Sequence, residues 1–286
     1  MCKNLYSHIL FCIILFTTSC GYFSSSKSAT CHDTTMVAKD MKDFAKDEEF
    51  KNAHELKADI PFEPKGTMME FASTDGKKGS AYLLKASESS PEYLFVIHEW
   101  WGLNNHIKQE AERLQADLGG NINVMALDLY DGKVATNRED AGKYMGATTE
   151  ERGNAIIQGA INYAGKEAKI ATIGWCFGGG WSLKSSILAG EQGAGCVIYY
   201  GMPLQEADKL KPLKADVLGI FAEKDGWITP KVVNDFKETA TGIGKKVEVH
   251  QFDADHAFAN PSSERYNAEA ATKANALALT FLKERL

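Results

Sequence analysis

Three residues that together can perform acyl transfer follow one another along the chain as nucleophile, acid and histidine: Cys176, Asp225 and His256. Cys176 lies in Lys169-Ile-Ala-Thr-Ile-Gly174-Trp175-Cys176-Phe177-Gly178-Gly179-Gly180-Trp181. A buried strand ends at Gly174 and a helix follows Gly178. This is the G-x-nucleophile-x-G turn, with a thiol where a serine is usual. The turn is strained, so the elbow positions Gly174 and Gly178 must be tiny to avoid a clash. A helix N-terminus behind the thiol is expected to lower its pKa from about 8.5. The plainer alternative is a Gly-rich turn that happens to bury a cysteine.

A thiol nucleophile needs a base, and the base needs an orienting group. The apolar run Val217–Phe221 leads into Glu223-Lys224-Asp225-Gly226-Trp227, and the run Val247–Phe252 leads into Asp253-Ala254-Asp255-His256-Ala257-Phe258. Both candidates therefore follow strand ends, where ligands bind in open α/β sheets. Glu223, Asp253 and Asp255 rival Asp225 as the orienting acid. A fourth loop, His98-Glu99-Trp100-Trp101-Gly102, follows the run Leu94–Ile97 and occupies the place that supplies a second oxyanion donor in this architecture. Its alternative reading is a hydrogen-bonded turn with two core tryptophans.

Eight strand-length apolar runs must position these loops: Met68–Phe71, Ala81–Leu84, Leu94–Ile97, Val124–Leu127, Ile170–Ile173, Val197–Tyr200, Val217–Phe221 and Val247–Phe252. Helix-length segments separate most of them, at His106–Leu118, Glu150–Ala164, Gly179–Ala189, Pro230–Ala240 and Ser263–Leu286. The first two runs read as a hairpin over Asp75-Gly76. The alternation predicts an α/β fold, a mainly parallel central sheet with helices on both faces. Residues 61–286 form one domain by this reading.

The set His98-Glu-Trp-Trp-Gly-Leu-Asn104, Leu127-Asp-Leu-Tyr130, Gly174-Trp-Cys-Phe-Gly-Gly179, Glu223-Lys-Asp225 and Asp253-Ala-Asp-His-Ala-Phe258 resembles the dienelactone hydrolase family over about residues 66–286. The resemblance implies the α/β-hydrolase fold and a Cys176–His256–Asp225 triad cleaving an ester, lactone or thioester through a cysteinyl acyl-enzyme. It implies that Glu99 helps ionise the cysteine, and that the backbone N–H groups of Trp100 and Phe177 form the oxyanion hole. Trp101, Trp227 and Phe258 are the aromatics expected in the substrate pocket. The two positions where the family carries carboxylate-binding arginines hold Gly132 and Asn260 here, with Arg265 further along. The family therefore fits better than the dienelactone substrate. No metal and no organic cofactor is expected.

The N-terminus reads as a leader. Lys3 precedes the unbroken apolar run Ile9–Phe16, and Thr17-Thr18-Ser19-Cys20 follows. Eight apolar residues suit a signal-peptide core and fall short of the ~20 that span a bilayer. Small residues before a cysteine resemble a lipoprotein lipobox. Residues 1–19 are thus expected to be removed and Cys20 lipidated, holding the protein at a bacterial cell envelope, on the periplasmic side or at the outer membrane. Residues 20–35 read as a polar tether. Residues 36–60 read as an amphipathic helical extension with Val37, Met41, Phe44 and Ala45 at helical spacing and Thr34 or Thr35 as its cap.

The chain has 32 Lys and Arg against 38 Asp and Glu, a net charge of −6 with no basic block. That argues against nucleic acid as the partner. The expected partner is a small ester or lactone, the membrane is reached through the lipid alone, and a monomer is the favoured state. None of the six cysteines falls in a CxxC pair or at local zinc-ligand spacing. Two rival functions are a non-catalytic envelope protein that uses the fold for binding, and a thiol redox protein pairing Cys176 with Cys31 or Cys196.

Overall fold

A computed structural model describes residues 40–55 and 61–286. The leader at 1–19, Cys20, the tether at 20–35, and Val37 with its expected caps Thr34 and Thr35 lie outside the described residues, as do residues 56–60.

All eight expected strands form one sheet: β1 (Thr67–Ala72), β2 (Lys78–Leu84), β3 (Glu92–Ile97), β4 (Asn123–Asp128), β5 (Lys169–Trp175), β6 (Gly193–Tyr199), β7 (Asp216–Ala222) and β8 (Val247–Phe252). Their spatial order is β1-β2-β4-β3-β5-β6-β7-β8. The β1–β2 hairpin turns at Gly76, whose φ is +80°. β2 runs antiparallel to both its neighbours, and β3 to β8 run parallel. The central strands are buried almost end to end because helices cover both faces. The chain leaves β3 to one side, for β4, and later fills its other side with β5. Loops diverge at such a switch point and leave a crevice above the strand ends.

The helices are α1 (Glu48–Asn52), α2 (Asn105–Asp117), α3 (Arg138–Ala147), α4 (Glu150–Ala164), α5 (Phe177–Ala189), α6 (Ala207–Leu210), α7 (Pro230–Gly242) and α8 (Ala268–Lys283). α8 starts five residues later than the run from Ser263 suggests, because the Asn267 side chain accepts from the Ala270 N–H and caps it there. Residues before it are held in turns, with the Asn260 side chain accepting from the Ser262 N–H and hydroxyl.

Residues 40–55 pack on this body in two short pieces rather than one helix. Asp40 caps a 3₁₀ turn over Met41–Lys46, and Asp47, itself extended, caps α1. Met41 and Phe50 are fully buried. Lys184 pairs with Asp40, Lys51 with Glu139 at 3.0 Å, and the Arg138 Nε donates to the His54 carbonyl at 2.7 Å. α3, absent from the sequence reading, is the platform. A Cβ on its Gly142 would stand 2.7 Å from the Ala45 carbonyl oxygen. Glycine weakens the helical signal there because the segment needs the room.

Gly142→Ala should therefore act against helix propensity, which favours Ala by about 1 kcal/mol. Overpacking by a methyl group against backbone costs about 1–3 kcal/mol. Hydrogen exchange of residues 41–53 should quicken at least about fivefold while β5 keeps its protection. Unchanged or slower exchange in 41–53 would disprove this packing role.

Candidate active site

Cys176 sits between β5 and α5 at φ 54° and ψ −117°, in the left half of conformational space that L-residues avoid. Its neighbours make the turn possible. A Cβ on Gly174 would lie 2.1 Å from the Gly178 carbonyl oxygen, and one on Gly178 would lie 2.3 Å from the Ile97 carbonyl oxygen and 2.5 Å from that of His98. The two elbow glycines thus let α5 touch both its own strand and the end of β3. The Cys176 N–H donates to the Tyr199 carbonyl at 2.9 Å, which ties the turn to β6. The thiol is buried.

Asp225, past β7, accepts at one carboxylate oxygen from the N–H groups of Trp227 and Ile228, both at 2.9 Å. Its other oxygen meets His256 Nδ1, past β8, at 2.6 Å. Both side chains are fully buried. Burial opposes ionisation of Asp225, but His256 and the two N–H groups hold its carboxyl below the usual range. Burial also opposes charge on His256, yet Asp225 and, once it ionises, the Cys176 thiolate outweigh it and raise the imidazole pKa. The rival acids are elsewhere: Glu223, Asp253 and Asp255 are exposed, and Asp253 pairs with Lys224 at 2.6 Å.

Glu99 follows β3 and is buried beside this pair. His98 fixes its backbone. The Leu129 N–H donates to His98 Nε2 at 3.1 Å, so the ring proton is assigned to Nδ1, which donates to the Glu99 carbonyl at 2.7 Å. The Glu99 carboxyl accepts from the Asn260 amide, and from the Tyr200 hydroxyl at 3.4 Å. Burial pushes Glu99 up to about 7, against the pull of His256 and these two donors. Cys176 departs from the expected direction. Burial raises its thiol pKa and the Glu99 charge adds to the rise, while His256 and the Phe177 N–H act the other way. A helix N-terminus does not compensate for the loss of water around a fully buried thiol.

A cavity of about 920 Å³ opens beside Glu99, lined among others by Trp101, Arg113, Trp175, Asn260 and Tyr266. Of the three aromatics expected in the pocket, Trp101 lines it. Phe258 is instead fully buried, its ring 5.6 Å from that of Tyr200, where it backs the tyrosine that reaches Glu99. Trp227 packs on His256 at 5.8 Å, with the Arg265 guanidinium 5.5 Å above its ring. Neither family arginine position carries a cation: Asn260 binds Glu99, and the Gly132 N–H donates to Asp128.

Three participants escaped the sequence reading, as did the contact that Asn260 makes. Tyr200 and Asn260 grip Glu99. Phe50 and His54 arrive from the N-terminal segment. The Phe50 ring lies 5.5 Å from Trp100, 5.3 Å from Trp227 and 5.9 Å from His256. The His54 ring lies 4.8 Å from Trp100 and 5.4 Å from His256. One nitrogen each of His54 and His256 and the Cys176 sulfur all lie within 4.8 Å of one another, one group among the described residues able to hold a metal ion. No local motif announces it, since its members come from three distant stretches. Cys176 and Cys196 are both free thiols, so they do not pair with each other.

Comparison with known proteins agrees with the geometry. Residues 80–286 match the model of the dienelactone hydrolase family. "Protein usf" of Aquifex pyrophilus is 31% identical over 236 residues, covering 77% of this chain and 99% of that one. "Carboxymethylenebutenolidase 1" of Cupriavidus pinatubonensis is 27% identical, over 75% of this chain and 95% of its own. Among solved structures, a dienelactone hydrolase-like promiscuous phosphotriesterase from metagenomic libraries superposes with a TM-score of 0.63 at 23% identity, covering 77% of this chain and 98% of its own. An eight-stranded α/β-hydrolase sheet with its elbow at Cys176, matched by this family over residues 80–286, places the chain in the dienelactone hydrolase family of hydrolases.

Proposed function

We propose that the protein hydrolyses a carboxylic ester, lactone or thioester by acyl transfer to Cys176. The buried Asp225–His256 contact at 2.6 Å beside the buried thiol carries this reading. His256 takes the thiol proton as the sulfur attacks the acyl carbon and returns it to the leaving group. It then activates the water that releases the acid. Asp225 holds the imidazole in one tautomer and balances its charge. The N–H groups of Trp100 and Phe177 receive the oxyanion, at about 2.7–4 kcal/mol for each donor. Glu99 sets the ionisation of the thiol: while anionic it opposes the thiolate, and on taking a proton it releases that opposition. The aromatic surround of Trp100 and Trp227, with no cation at either family arginine position, favours a neutral acyl group. We place this activity at the bacterial envelope, on lipidated Cys20, a reading supported by the apolar run and the small residues before that cysteine.

Alkylation of Cys176 with iodoacetamide should abolish turnover of p-nitrophenyl acetate. Cys176→Ser should fold normally, resist the alkylator and lose at least about tenfold in kcat/KM. Full activity after complete alkylation of Cys176 would overturn the nucleophile assignment. Asp225→Asn should keep its circular dichroism spectrum yet lose at least about a hundredfold in kcat, because the amide cannot balance the imidazolium. An unchanged rate would remove Asp225 from the triad.

Glu99→Gln tests the carboxyl. Its pKa is about 7 folded against 4.5 as the ordinary value. The folded state therefore gains relative stability below 4.5 and loses it as pH rises through 7. Replacing the acid by its amide should stabilise the fold by up to about 3 kcal/mol above pH 7 and by little below pH 4.5. Denaturation midpoints across that range measure the difference. Equal midpoints for wild type and variant at pH 8 would contradict the buried charge.

A further inference from the structure

We infer that His54, Cys176 and His256 form a transition-metal site of the zinc class, with its third ligand delivered by the N-terminal segment. Three observations carry it. The donor atoms all lie within 4.8 Å of one another, and all three residues are buried. The Nε2 atom of His54 is buried and makes no hydrogen bond, and the Nε2 of His256 is buried with the Cys176 sulfur as its one neighbouring partner. Each ring is tied through the opposite nitrogen to an oxygen: His54 Nδ1 to the Phe50 carbonyl at 2.7 Å, and His256 Nδ1 to the Asp225 carboxylate at 2.6 Å.

Metal-binding histidines are held in this way. An oxygen partner on one nitrogen fixes the tautomer and turns the lone pair of the other toward the ion. Triad chemistry accounts for the arrangement at His256. It does not account for a second imidazole with a buried, unpartnered Nε2 over the same thiol.

The donor set selects the ion. One thiolate and two imidazoles suit Zn²⁺ and its neighbours, whereas Mg²⁺ and Ca²⁺ take oxygen ligands. Zinc bonds of ~2.3 Å to sulfur and ~2.0–2.1 Å to nitrogen set the ligands roughly 3.3–3.8 Å apart, so the cluster needs to contract by about 1.5 Å at most. Binding forms one Zn–S and two Zn–N bonds and releases to solvent the proton that Cys176 and His256 hold between them. The thiolate and Asp225 then offset the two positive charges within the buried site, with Glu99 and Arg265 as the further charged groups beside it. Three protein ligands leave a fourth position open. The bound ion occupies the sulfur and pins residues 40–55 to the site. Loss of ester turnover on binding rests on the hydrolase reading; the binding itself does not.

The test uses the full chain carrying Cys2→Ser, Cys12→Ser, Cys20→Ser and Cys31→Ser, so that the leader supplies no thiols. Co²⁺ titration should give one equivalent of a sulfur-to-metal charge-transfer band, which Zn²⁺ displaces and which Cys176→Ala abolishes. His54→Phe, which keeps the aromatic packing, should weaken Zn²⁺ binding at least about tenfold, the lower edge of the loss seen even for outer-shell changes. Zinc absorption spectroscopy of the otherwise unaltered background should show one sulfur and two imidazoles, a measurement that stands if His54→Phe fails to fold. A band that survives Cys176→Ala overturns the site. Unchanged zinc affinity in folded His54→Phe, or a single imidazole in the absorption spectrum, overturns the role of His54. Turnover of p-nitrophenyl acetate is followed separately: zinc binding without any basal turnover sinks the hydrolase reading and leaves the metal site standing.

Discussion

The contact between the start of α5 and the end of β3 governs the rest of the site. Cys176 adopts a backbone conformation that L-residues avoid, and it does so because Gly178 lies directly against the carbonyls of Ile97 and His98. Strain of this kind persists only where the surroundings over-determine it. Here β5 enters the turn, α5 leaves it, β6 receives the Cys176 N–H, and β3 presses on Gly178. The same contact brings the loop bearing Glu99 and Trp100 up to the thiol. The proposed nucleophile, the carboxyl and the proposed oxyanion donors therefore share one rigid junction at the topological switch point.

Two buried carboxyl groups beside one histidine behave oppositely, and their partners explain it. Asp225 receives two backbone N–H groups and the imidazole on its two oxygens, so its charge is compensated on every side. Glu99 receives an amide and a distant hydroxyl. Burial raises both, and the fuller compensation at Asp225 brings that carboxyl below its ordinary range while Glu99 stays above it. Asn260 takes part in this division. At a position where the family carries an arginine, its neutral amide binds Glu99 without supplying a charge that would keep it ionised. A cation there would hold the carboxyl ionised, whereas the amide hydrogen bond lowers its pKa without overcoming burial.

The N-terminal segment changes the shape of the site. Phe50 and His54 pack against His256 and Trp100 past the strand ends, while the cavity meets the site from the Glu99 side. The body is cut to receive this segment: Gly142 on α3 leaves room for the Ala45 carbonyl, and Lys184 and Arg138 reach out to it. The segment thus adds an aromatic wall and a second imidazole to a site that the family otherwise builds from residues 80–286.

Local chemistry makes much of this legible in the chain. Eight apolar runs bounded by turn residues specify eight strands, because period and flanking residues act over a few positions. The glycines around Cys176 mark the elbow, and the order of Cys176, Asp225 and His256 marks the partners, because each residue sits at its own strand end. What the tertiary structure decided depends on distance in space. Asp225 rather than Glu223 or Asp255 meets His256 because its side chain turns inward and is buried, whereas theirs are exposed. Cys176 has a raised thiol pKa because burial, which no local pattern reports, outweighs the helix N-terminus. Phe258 stands behind Tyr200, and Asn260 holds Glu99, through packing between loops far apart in the chain. His54 reads in the sequence as one polar residue in a charged stretch. It becomes a neighbour of the thiol because Phe50 finds an apolar socket between Trp100 and Trp227, an attraction without direction that only the assembled fold can aim.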